Sequence, residues 1–521
     1  MDYRPVTAVW EITMGCNMRC KHCGSSCDLP LPDQLTTKEA LELARDLADL
    51  GLEWITLSGG EPLIRKDWDL IASEFSSHGV IPNIITNGWK LTRKTLERAK
   101  AAGIGTIACS LDGLQESHDY MRKPGSFERV VQGLRLMKGM DVTCGVITTI
   151  NRRNLPELTG LRELLADIGV RYWQLQIGLP MGNFAHNMDL IMEPAQVDEI
   201  IDFSYETMRD GRVTVYPADC VGYYNLKELE VRRKAHRTSD LPYWKGCNAG
   251  KRSLGILHNG DILGCTSIRD RQYVEGNVRE RPIREIWNDE NAFVWNRRAR
   301  KSELDGVCRI CRYGDVCLGG CPNTRLTMNG RMSSENLYCS YNQAVRRTRV
   351  KLEDFENLDD LKGRVGRYLA KGEFQLASLV LERLLRDLPE DKELLSLYGF
   401  VCYSLNNFEE CRDINARILH RHPEDAYANK GMGIALHRLG HTDEGIGYLR
   451  RAVERATPDD MDPYHDLAVV YLESGRTEEA RELLEKGGRL SAEFAKQHAI
   501  MLDESGSFVG GNEHTDRIAS H

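Results

Sequence analysis

The sequence has no run of 18 apolar residues, so nothing in it reads as a membrane-crossing helix. Met1 to Val9 lacks the charged-then-apolar pattern of a secretory signal. Positive charge is not in excess either. The net charge is −8, whereas a nucleic-acid binder presents a basic face. With no membrane, export or nucleic-acid signature, the expectation is a cytoplasmic protein whose thiols stay reduced. Its 16 cysteines are then not a disulfide framework, and clustered ones are expected to ligate metal. Hydrophobic residues make up 41% and charged residues 28%, the mix of a globular protein. At 521 residues the chain exceeds one core and suggests roughly three to four domains.

The densest cysteine cluster comes first. Cys16, Cys20 and Cys23 are spaced C-x3-C-x2-C just after an apolar, strand-like run from Ala8 to Ile12. Three thiolates on a [4Fe–4S] cube leave one iron free to bind something else. An open coordination position is what separates a catalytic metal centre from a closed structural one. On spacing alone, the alternative is a zinc knuckle with Cys27 as fourth ligand.

Downstream the pattern alternates. Thr36 to Leu50 reads as a helix with a capping start, and Gly51 stops it. Short strands follow at 53–57, 81–85, 106–110, 143–149 and 172–177, separated by helices at 67–77, 92–102, 127–140 and 155–168. Counting the first strand, six alternations predict a parallel sheet wrapped by helices. Functional groups in such barrels sit at the C-terminal ends of the strands. Gly59-Gly60-Glu61-Pro62, Thr86-Asn87-Gly88 and Ser110-Leu111-Asp112-Gly113 all fall there.

These four motifs in order resemble a radical S-adenosylmethionine (radical SAM) enzyme over roughly residues 6–235, with His22 where that family usually has an aromatic residue. The resemblance implies a partial (β/α)6 barrel and a cluster on Cys16, Cys20 and Cys23 that binds S-adenosylmethionine. It assigns Gly59, Gly60, Glu61 and Pro62 to the methionine end, where glycines admit close backbone approach. Glu61 would accept from the amino group, and Ser110 and Arg122 would hold the carboxylate. Asn87 and Asp112 are further strand-end candidates for binding it, although turn formation explains both nearly as well. Gln174 and Gln176, two apart on the last strand, would point into the cavity.

Seven more cysteines begin at Cys247. Cys247 is followed after twelve residues by Gly260, then by Cys265, with a hairpin turn at Asn259-Gly260. Cys308-x2-Cys311-x5-Cys317-x3-Cys321 and Cys339 complete the set. Zinc ribbons are the bland alternative. The pattern resembles the SPASM domain of radical SAM peptide-modifying enzymes. By that resemblance Cys308, Cys311, Cys317 and Cys339 hold one auxiliary [4Fe–4S] cluster, and Cys247, Cys265 and Cys321 another. The fourth position of the latter is open to Cys220, water or substrate. Cys27, Cys109, Cys144, Cys220, Cys402 and Cys411 are left over, and each reads more simply as a core or incidental thiol.

From about residue 350 the chain turns helical and periodic. Pro389, Pro423 and Pro458 recur at 34 and 35, each followed by an acidic residue. Gly372, Asn406, Gly440 and Gly475 keep the same step, as do the small residues Ala377, Cys411, Gly445 and Ala480. This resembles tetratricopeptide (TPR) repeats over about 355–490. Such repeats stack into a solenoid whose concave surface grips peptide or protein segments.

The expected organisation is a partial α/β barrel with connector (1–235), a cysteine-rich SPASM domain (236–350), an all-α TPR solenoid (351–492) and a disordered tail (493–521). The expected activity is that of a peptide maturase. Reductive cleavage of S-adenosylmethionine gives a 5′-deoxyadenosyl radical that abstracts hydrogen from a peptide or protein side chain, leaving a crosslink or an oxidation. The resemblance also implies an external one-electron donor of flavodoxin or ferredoxin type. Two rivals stand beside it. One is a sulfatase-maturase-type enzyme forming formylglycine, disfavoured because Thr266 occupies the place of that group's Asp base. The other is a redox-sensing TPR scaffold without catalysis.

Overall fold

Strand β1 (Thr7–Thr13) occupies the middle of a ten-stranded sheet in the computed structural model, which describes residues 3–240, 244–355 and 357–498. On one side of it follow β2 (Trp54–Gly59), β3 (Ile81–Thr86), β4 (Thr106–Ser110), β5 (Cys144–Ile150), β6 (Tyr172–Ile177) and β7 (Thr214–Pro217), in chain order and all parallel. On the other side, β8 (Ser253–Ile256) pairs parallel with β1, and β9 (Asp261–Leu263) and β10 (Val274–Asn277) continue antiparallel. The hairpin expected at Asn259-Gly260 is therefore an extension of the barrel sheet. Its residues Ile256 and Ile262 share one core with Trp10 and Leu57.

Alternation along each strand divides the sheet into two faces. Ala8, Trp10 and Ile12 of β1, Ile55 and Leu57 of β2, and Trp173, Leu175 and Ile177 of β6 are buried in the core under the helices. Many of the intervening positions are polar, among them Glu11 and Thr13, Thr56 and Ser58, Ser110, Thr149, Gln174 and Gln176, while Val9, Ile85 and Ile147 are apolar. Period 2 places these on the opposite face, so the interior of the curved sheet carries many hydrogen-bonding groups.

The helices between the strands are α1 (Thr37–Asp49), α2 (Trp68–Ser77), α3 (Arg93–Ala101), α4 (Gln115–Met121), α5 (Ser126–Gly139) and α6 (Leu158–Ile168). Thr36 caps α1, with the reciprocal bond from its own backbone N–H to Glu39, as the sequence predicts. Ala40, Leu43, Ala44 and Leu47 form its buried stripe. Each Leu so buried contributes about 1.5–3 kcal/mol, which is what holds the helix to the sheet. Helix α4 was not anticipated; it carries His118 and ends at Arg122. Beyond β6 come α7 (Val197–Asp210) and α8 (Leu226–His236).

The described chain divides into two compact units. The first runs to Arg309 and includes Tyr313–Gln343; the second takes Ile310–Arg312 and the chain from Ala344. The second unit contains four helix pairs, 358–370 with 374–387, 392–404 with 408–421, 426–438 with 442–454, and 462–473 with 477–490. The residues that repeat in the sequence explain themselves here. Gly372, Asn406, Gly440 and Gly475 all have positive φ (+67, +57, +90 and +77), one at the turn of each pair, where Gly or Asn is favoured. Asp391 and Asp425, two residues after Pro389 and Pro423, cap the next helices. At the small-residue position, a Cβ on Gly445 would meet the Gly433 carbonyl oxygen at 2.6 Å.

One expectation changes. Residues from 493 were placed in a disordered tail, but Ala492–His498 is a helix. Phe494 is buried and packs edge-on to Tyr464, which supplies the apolar anchor that composition alone did not reveal. Residues 499–521, with His514 and His521, lie outside the described residues. Among the described residues no helix is long and apolar enough to cross a membrane.

Candidate functional site

The cysteine loop leaves the C-terminal end of β1 and is tied down from three directions. The Cys16 N–H donates to the Asp28 carbonyl at 2.7 Å, and the Lys21 N–H to the Met121 carbonyl at 2.8 Å. From beyond β6, Asn183 donates through its side chain to the Cys20 carbonyl (3.1 Å) and through its backbone to the Cys23 carbonyl (2.9 Å). Asn187 reaches the Lys21 carbonyl at 3.2 Å. Asn183 and Asn187 were missed in the sequence, since nothing local distinguishes them from turn-forming asparagines.

Gly59 and Gly60 serve the same loop. A Cβ on Gly59 (φ +124) would lie 2.2 Å from the Thr13 carbonyl oxygen, and one on Gly60 would lie 2.0 Å from the Gly15 carbonyl oxygen. Their N-terminal neighbours in the loop are also their hydrogen-bond partners: Gly60 N–H donates to Thr13 and Glu61 N–H to Gly15, both at 2.8 Å. The missing side chains let the end of β2 close against the loop that carries the cysteines. Glu61 is fully buried, and its carboxylate accepts from Thr86 Oγ1 (2.7 Å), Asn87 N–H (2.8 Å) and Leu63 N–H (3.1 Å). The side chain thus bolts the end of β2 to the end of β3, and it caps the short 3-10 turn that begins at Pro62.

Asn87 combines both readings of it. Its Oδ1 accepts from Trp89 N–H (3.0 Å) as a turn residue does, while Nδ2 donates to Asn17 Oδ1 (2.7 Å) and lies 3.9 Å from the Cys16 sulfur. Asp112 is buried completely. Its Oδ2 accepts from Arg122 Nε at 2.5 Å and lies 3.1 Å from His22 Nε2, and its Oδ1 accepts from Thr149 N–H at 2.8 Å. Burial opposes its ionisation, but Arg122 and His22 override that and hold the carboxyl well below the usual range. His118, beneath, takes the Asp112 N–H on Nδ1 at 3.0 Å; burial pushes its pKa down to about 3, so it stays neutral. Arg122 also faces the charges of Cys16, Cys20 and Cys23. Its Nη groups have no protein partner among the described residues. Ser110, at the end of β4, likewise has an uncommitted hydroxyl. Gln176 donates to Thr149 Oγ1 at 2.9 Å on the polar interior face.

Two further features were not legible. Glu11, the inward charge on β1, pairs with Arg269, and both contact Ser25 Oγ, Glu11 at 3.1 Å and Arg269 at 2.5 Å. This links the strand, the cysteine loop and the segment after Cys265. Cys27 is buried as a core thiol would be and interacts with Cys23, which lowers the Cys23 pKa and raises that of Cys27.

Cys247, Cys265, Cys308, Cys317, Cys321 and Cys339 lie in the same unit. Cys247 accepts from Ala249 N–H at 3.4 Å, and burial together with the charges of Cys321 and Cys265 pushes its thiol far up. Cys265 and Cys321 are also driven up by burial, and Cys321 feels Cys265. Cys308 and Cys339 accept from the N–H groups of Asn336 and Asn342, each at 3.4 Å. Cys317 offers its carbonyl to Trp244 Nε1 at 3.2 Å. Cys311 lies in the short segment that groups with the second unit.

Among the described residues no three His, Cys, Asp or Glu side chains close on a single metal ion. Cys16, Cys20 and Cys23 nevertheless feel one another's charge, as do Cys247, Cys265 and Cys321. Soft thiolate sets, near but not converged on one point, fit iron–sulfur clusters, in which each thiolate takes its own iron.

Comparison with known proteins agrees. The radical SAM superfamily model matches residues 10–165, an iron–sulfur cluster-binding (SPASM) domain matches 247–312, and tetratricopeptide repeat models match 368–433, 412–461 and 430–488. The AdoMet-dependent heme synthase of Methanosarcina barkeri is 32% identical over 66% of this chain and 98% of its own. The mycofactocin maturase MftC of Mycolicibacterium smegmatis is 26% identical over 61% of this chain and 78% of its own. Among solved structures, SuiB of Streptococcus suis bound to S-adenosylmethionine is 18% identical, covers 64% of this chain and 76% of its own, and gives a TM-score of 0.51. The structure of anSMEcpe with bound AdoMet is 15% identical, covers 65% and 92%, and gives 0.53. These two show the shared fold. With the motifs at the strand ends and a relative matched along nearly its whole length, the chain belongs to the radical SAM superfamily: it is an enzyme with a SPASM domain and tetratricopeptide repeats, and its cofactors are [4Fe–4S] clusters and S-adenosylmethionine.

Proposed function

We propose that this chain is a radical SAM oxidoreductase that abstracts hydrogen from a substrate lodged against the polar interior face of its sheet. The observation that carries this reading is the uncommitted guanidinium edge of Arg122, fixed by Asp112 beside Cys16, Cys20 and Cys23. When bound, the cluster and S-adenosylmethionine supply one electron and a 5′-deoxyadenosyl radical able to take hydrogen from an unactivated carbon. Arg122 and Ser110 then hold the methionine carboxylate, a grip suited to a guanidinium. Gly59, Gly60, Glu61 and Pro62 shape the backbone that meets the amino group, and Asn87 and Asp112 keep loop and arginine in place. Cys308, Cys311, Cys317 and Cys339 hold one auxiliary cluster, and Cys247, Cys265 and Cys321 the other.

For the substrate we favour a heme-class tetrapyrrole, because the heme synthase relative is matched over 98% of its length. A peptide or protein side chain that becomes crosslinked or oxidised is the second reading. The tetratricopeptide repeats favour it, as surfaces that grip extended peptides, and so does the maturase relative. Formylglycine formation has less support, since Thr266 follows Cys265. A small cytoplasmic electron donor of flavodoxin or ferredoxin type completes the proposal.

The test is anaerobic reconstitution of the full chain, reduction with S-adenosylmethionine present, and quantification of 5′-deoxyadenosine. Separate arms add an iron tetrapyrrole or candidate peptides, and products are followed by mass spectrometry. Stimulation by one arm with a matching mass change identifies the substrate class. A fully loaded protein that forms no 5′-deoxyadenosine in any arm ends the proposal.

A further inference from the structure

The turn after β7 carries three successive residues in left-handed backbone: Gly222, Tyr223 and Tyr224, with φ of +105, +80 and +58. For the two tyrosines that conformation is strained and persists only where the surroundings fix it. Here they do. Arg232, largely buried, donates to the carbonyls of Pro217 (2.9 Å), Ala218 (3.1 Å) and Val221 (2.9 Å), and Ser340 N–H donates to the Gly222 carbonyl at 2.9 Å. The Tyr223 hydroxyl donates to the Asp219 carbonyl and accepts from the Cys321 N–H at 2.8 Å. One side chain thus couples the peptide unit just before Cys220 to a cysteine of the SPASM motif.

We propose that Cys220 is the fourth ligand of the iron–sulfur cluster held by Cys247, Cys265 and Cys321. This rests on the assignment of a cluster to those three residues. Three observations point to it. The Cys220 sulfur accepts the Ile177 N–H at 3.3 Å, the same backbone-to-sulfur contact that serves Cys247, Cys308 and Cys339. Such donors stabilise a thiolate and tune its cluster. The Cys220 side chain is half-buried, and the Tyr223 hydroxyl ties the peptide unit just before it to the Cys321 N–H. The remaining cysteines have other surroundings. Cys109 and Cys144 pack in the apolar core of the first unit, Cys402 and Cys411 are buried in the second, and Cys27 interacts with Cys23. Strain and hydrogen bonding together hold residue 220 in place ahead of any cluster, which is how a ligand distant in sequence is kept available.

A competing donor stands next to it. The Asp219 side chain is exposed, has no hydrogen-bond partner among the described residues, and its charge acts on Cys247, Cys265 and Cys321. Thiolate is the softer ligand and the better match to iron in a cluster.

The experiment uses the full chain, reconstituted with 57Fe and sulfide, in a background where Cys16, Cys20 and Cys23 are replaced by Ala so that only auxiliary clusters report. Mössbauer and reduced-state EPR spectra are recorded for that background and with C220A, C220S or D219N added. The expected result is a shifted iron site in one auxiliary cluster for C220A and C220S, cyanide binding newly seen in C220A, and no such change in D219N. Unchanged spectra in both Cys220 variants overturn the proposal, as does a shift confined to D219N. If the background shows only one auxiliary cluster, the three-cysteine assignment itself has failed. A second readout needs no variant in the Cys220 turn. In the wild-type holoprotein, iodoacetamide should spare Cys220 and Cys247 together, and mild iron chelation should expose both together. Alkylation of Cys220 with every cluster loaded, or continued protection after the iron is gone, contradicts coordination.

Discussion

Arg122 and Asp112 form an ion pair in the wall beside the cysteine loop, 2.5 Å from Nε to Oδ2 with the carboxylate fully buried. The pair lies ten residues apart in sequence, across the turn after β4 and helix α4. Asp112 spends its other contacts on His22 and the Thr149 N–H, so the arginine is held from β1's loop, β4 and β5 at once. A charge positioned this way is ready before the ligand arrives.

Asp112→Asn should release Arg122 and leave a buried cation without its counter-charge. Breaking a buried pair by removing one partner costs about 3–5 kcal/mol. S-adenosylmethionine affinity, measured by equilibrium dialysis on the cluster-loaded protein, should fall about tenfold or more. Arg122→Lys should weaken affinity as well while preserving iron content, because a point charge replaces a planar fork. Unchanged affinity in both variants would remove Arg122 from the binding site.

Gly60→Ala should harm the cysteine loop without touching any ligand. The new methyl would sit 2.0 Å from the Gly15 carbonyl oxygen, against backbone that cannot rotate away. Overpacking of this kind costs about 1–3 kcal/mol, and here the displaced segment carries the cysteines. The readouts are iron retained after reconstitution and the temperature of the first unfolding transition. Gly139→Ala, whose Cβ meets nothing within 4 Å, should leave both unchanged.

Tyr223→Phe removes the hydroxyl shared by Asp219 and Cys321. The Cys321 N–H is then a buried donor with no acceptor, a loss of about 1–3 kcal/mol. Hydrogen exchange at the Cys321 amide should accelerate, and the reduction potential of the cluster served by Cys321 should move. Loss of exchange protection without any change in potential would assign Tyr223 to the fold alone.

In the helical unit, His465 Nδ1 lies 2.8 Å from His498 Nε2, and the His498 ring stacks on Phe494 at 4.0 Å. Burial lowers the His498 pKa below its ordinary value. A folded-state pKa below the unfolded one means that the unfolded segment binds the proton more readily. Docking of the last helix is therefore strongest above the ordinary histidine pKa and weakens as pH falls below it. Hydrogen exchange over residues 492–498 should rise between about pH 7.5 and pH 5.5 and change much less in His498→Gln, the ordinary histidine pKa being about 6.5.

The elements legible beforehand were those set by short-range rules. Helix α1 is bounded by the capping residues Thr36 and Glu39, and the positions Gly372, Asn406, Gly440 and Gly475 repeat because each helix pair needs one left-handed residue. What escaped was the continuation of the sheet through β8, since a four-residue strand pairs with β1 only once some 240 residues between them have folded. At the site the cysteines, glycines and strand-end polar groups were visible by spacing. Their roles shifted in three dimensions: Gly59 and Gly60 admit the cysteine loop, and Glu61 is spent on β3.

The sequence by itself determined the order of modules, the three groups of cysteines and the periodicities of strand, helix and repeat. These follow from spacing along the chain, where the chemistry of a motif and its geometry coincide. Only the tertiary structure decided which distant groups meet them: Asn183 and Asn187 on the loop carbonyls, Arg269 on Glu11, the Tyr223 hydroxyl between Asp219 and Cys321. Such pairs depend on the register and curvature of the sheet, which bring together residues separated by about a hundred positions or more. No local pattern records that separation, so the setting of each cysteine had to be read from the fold.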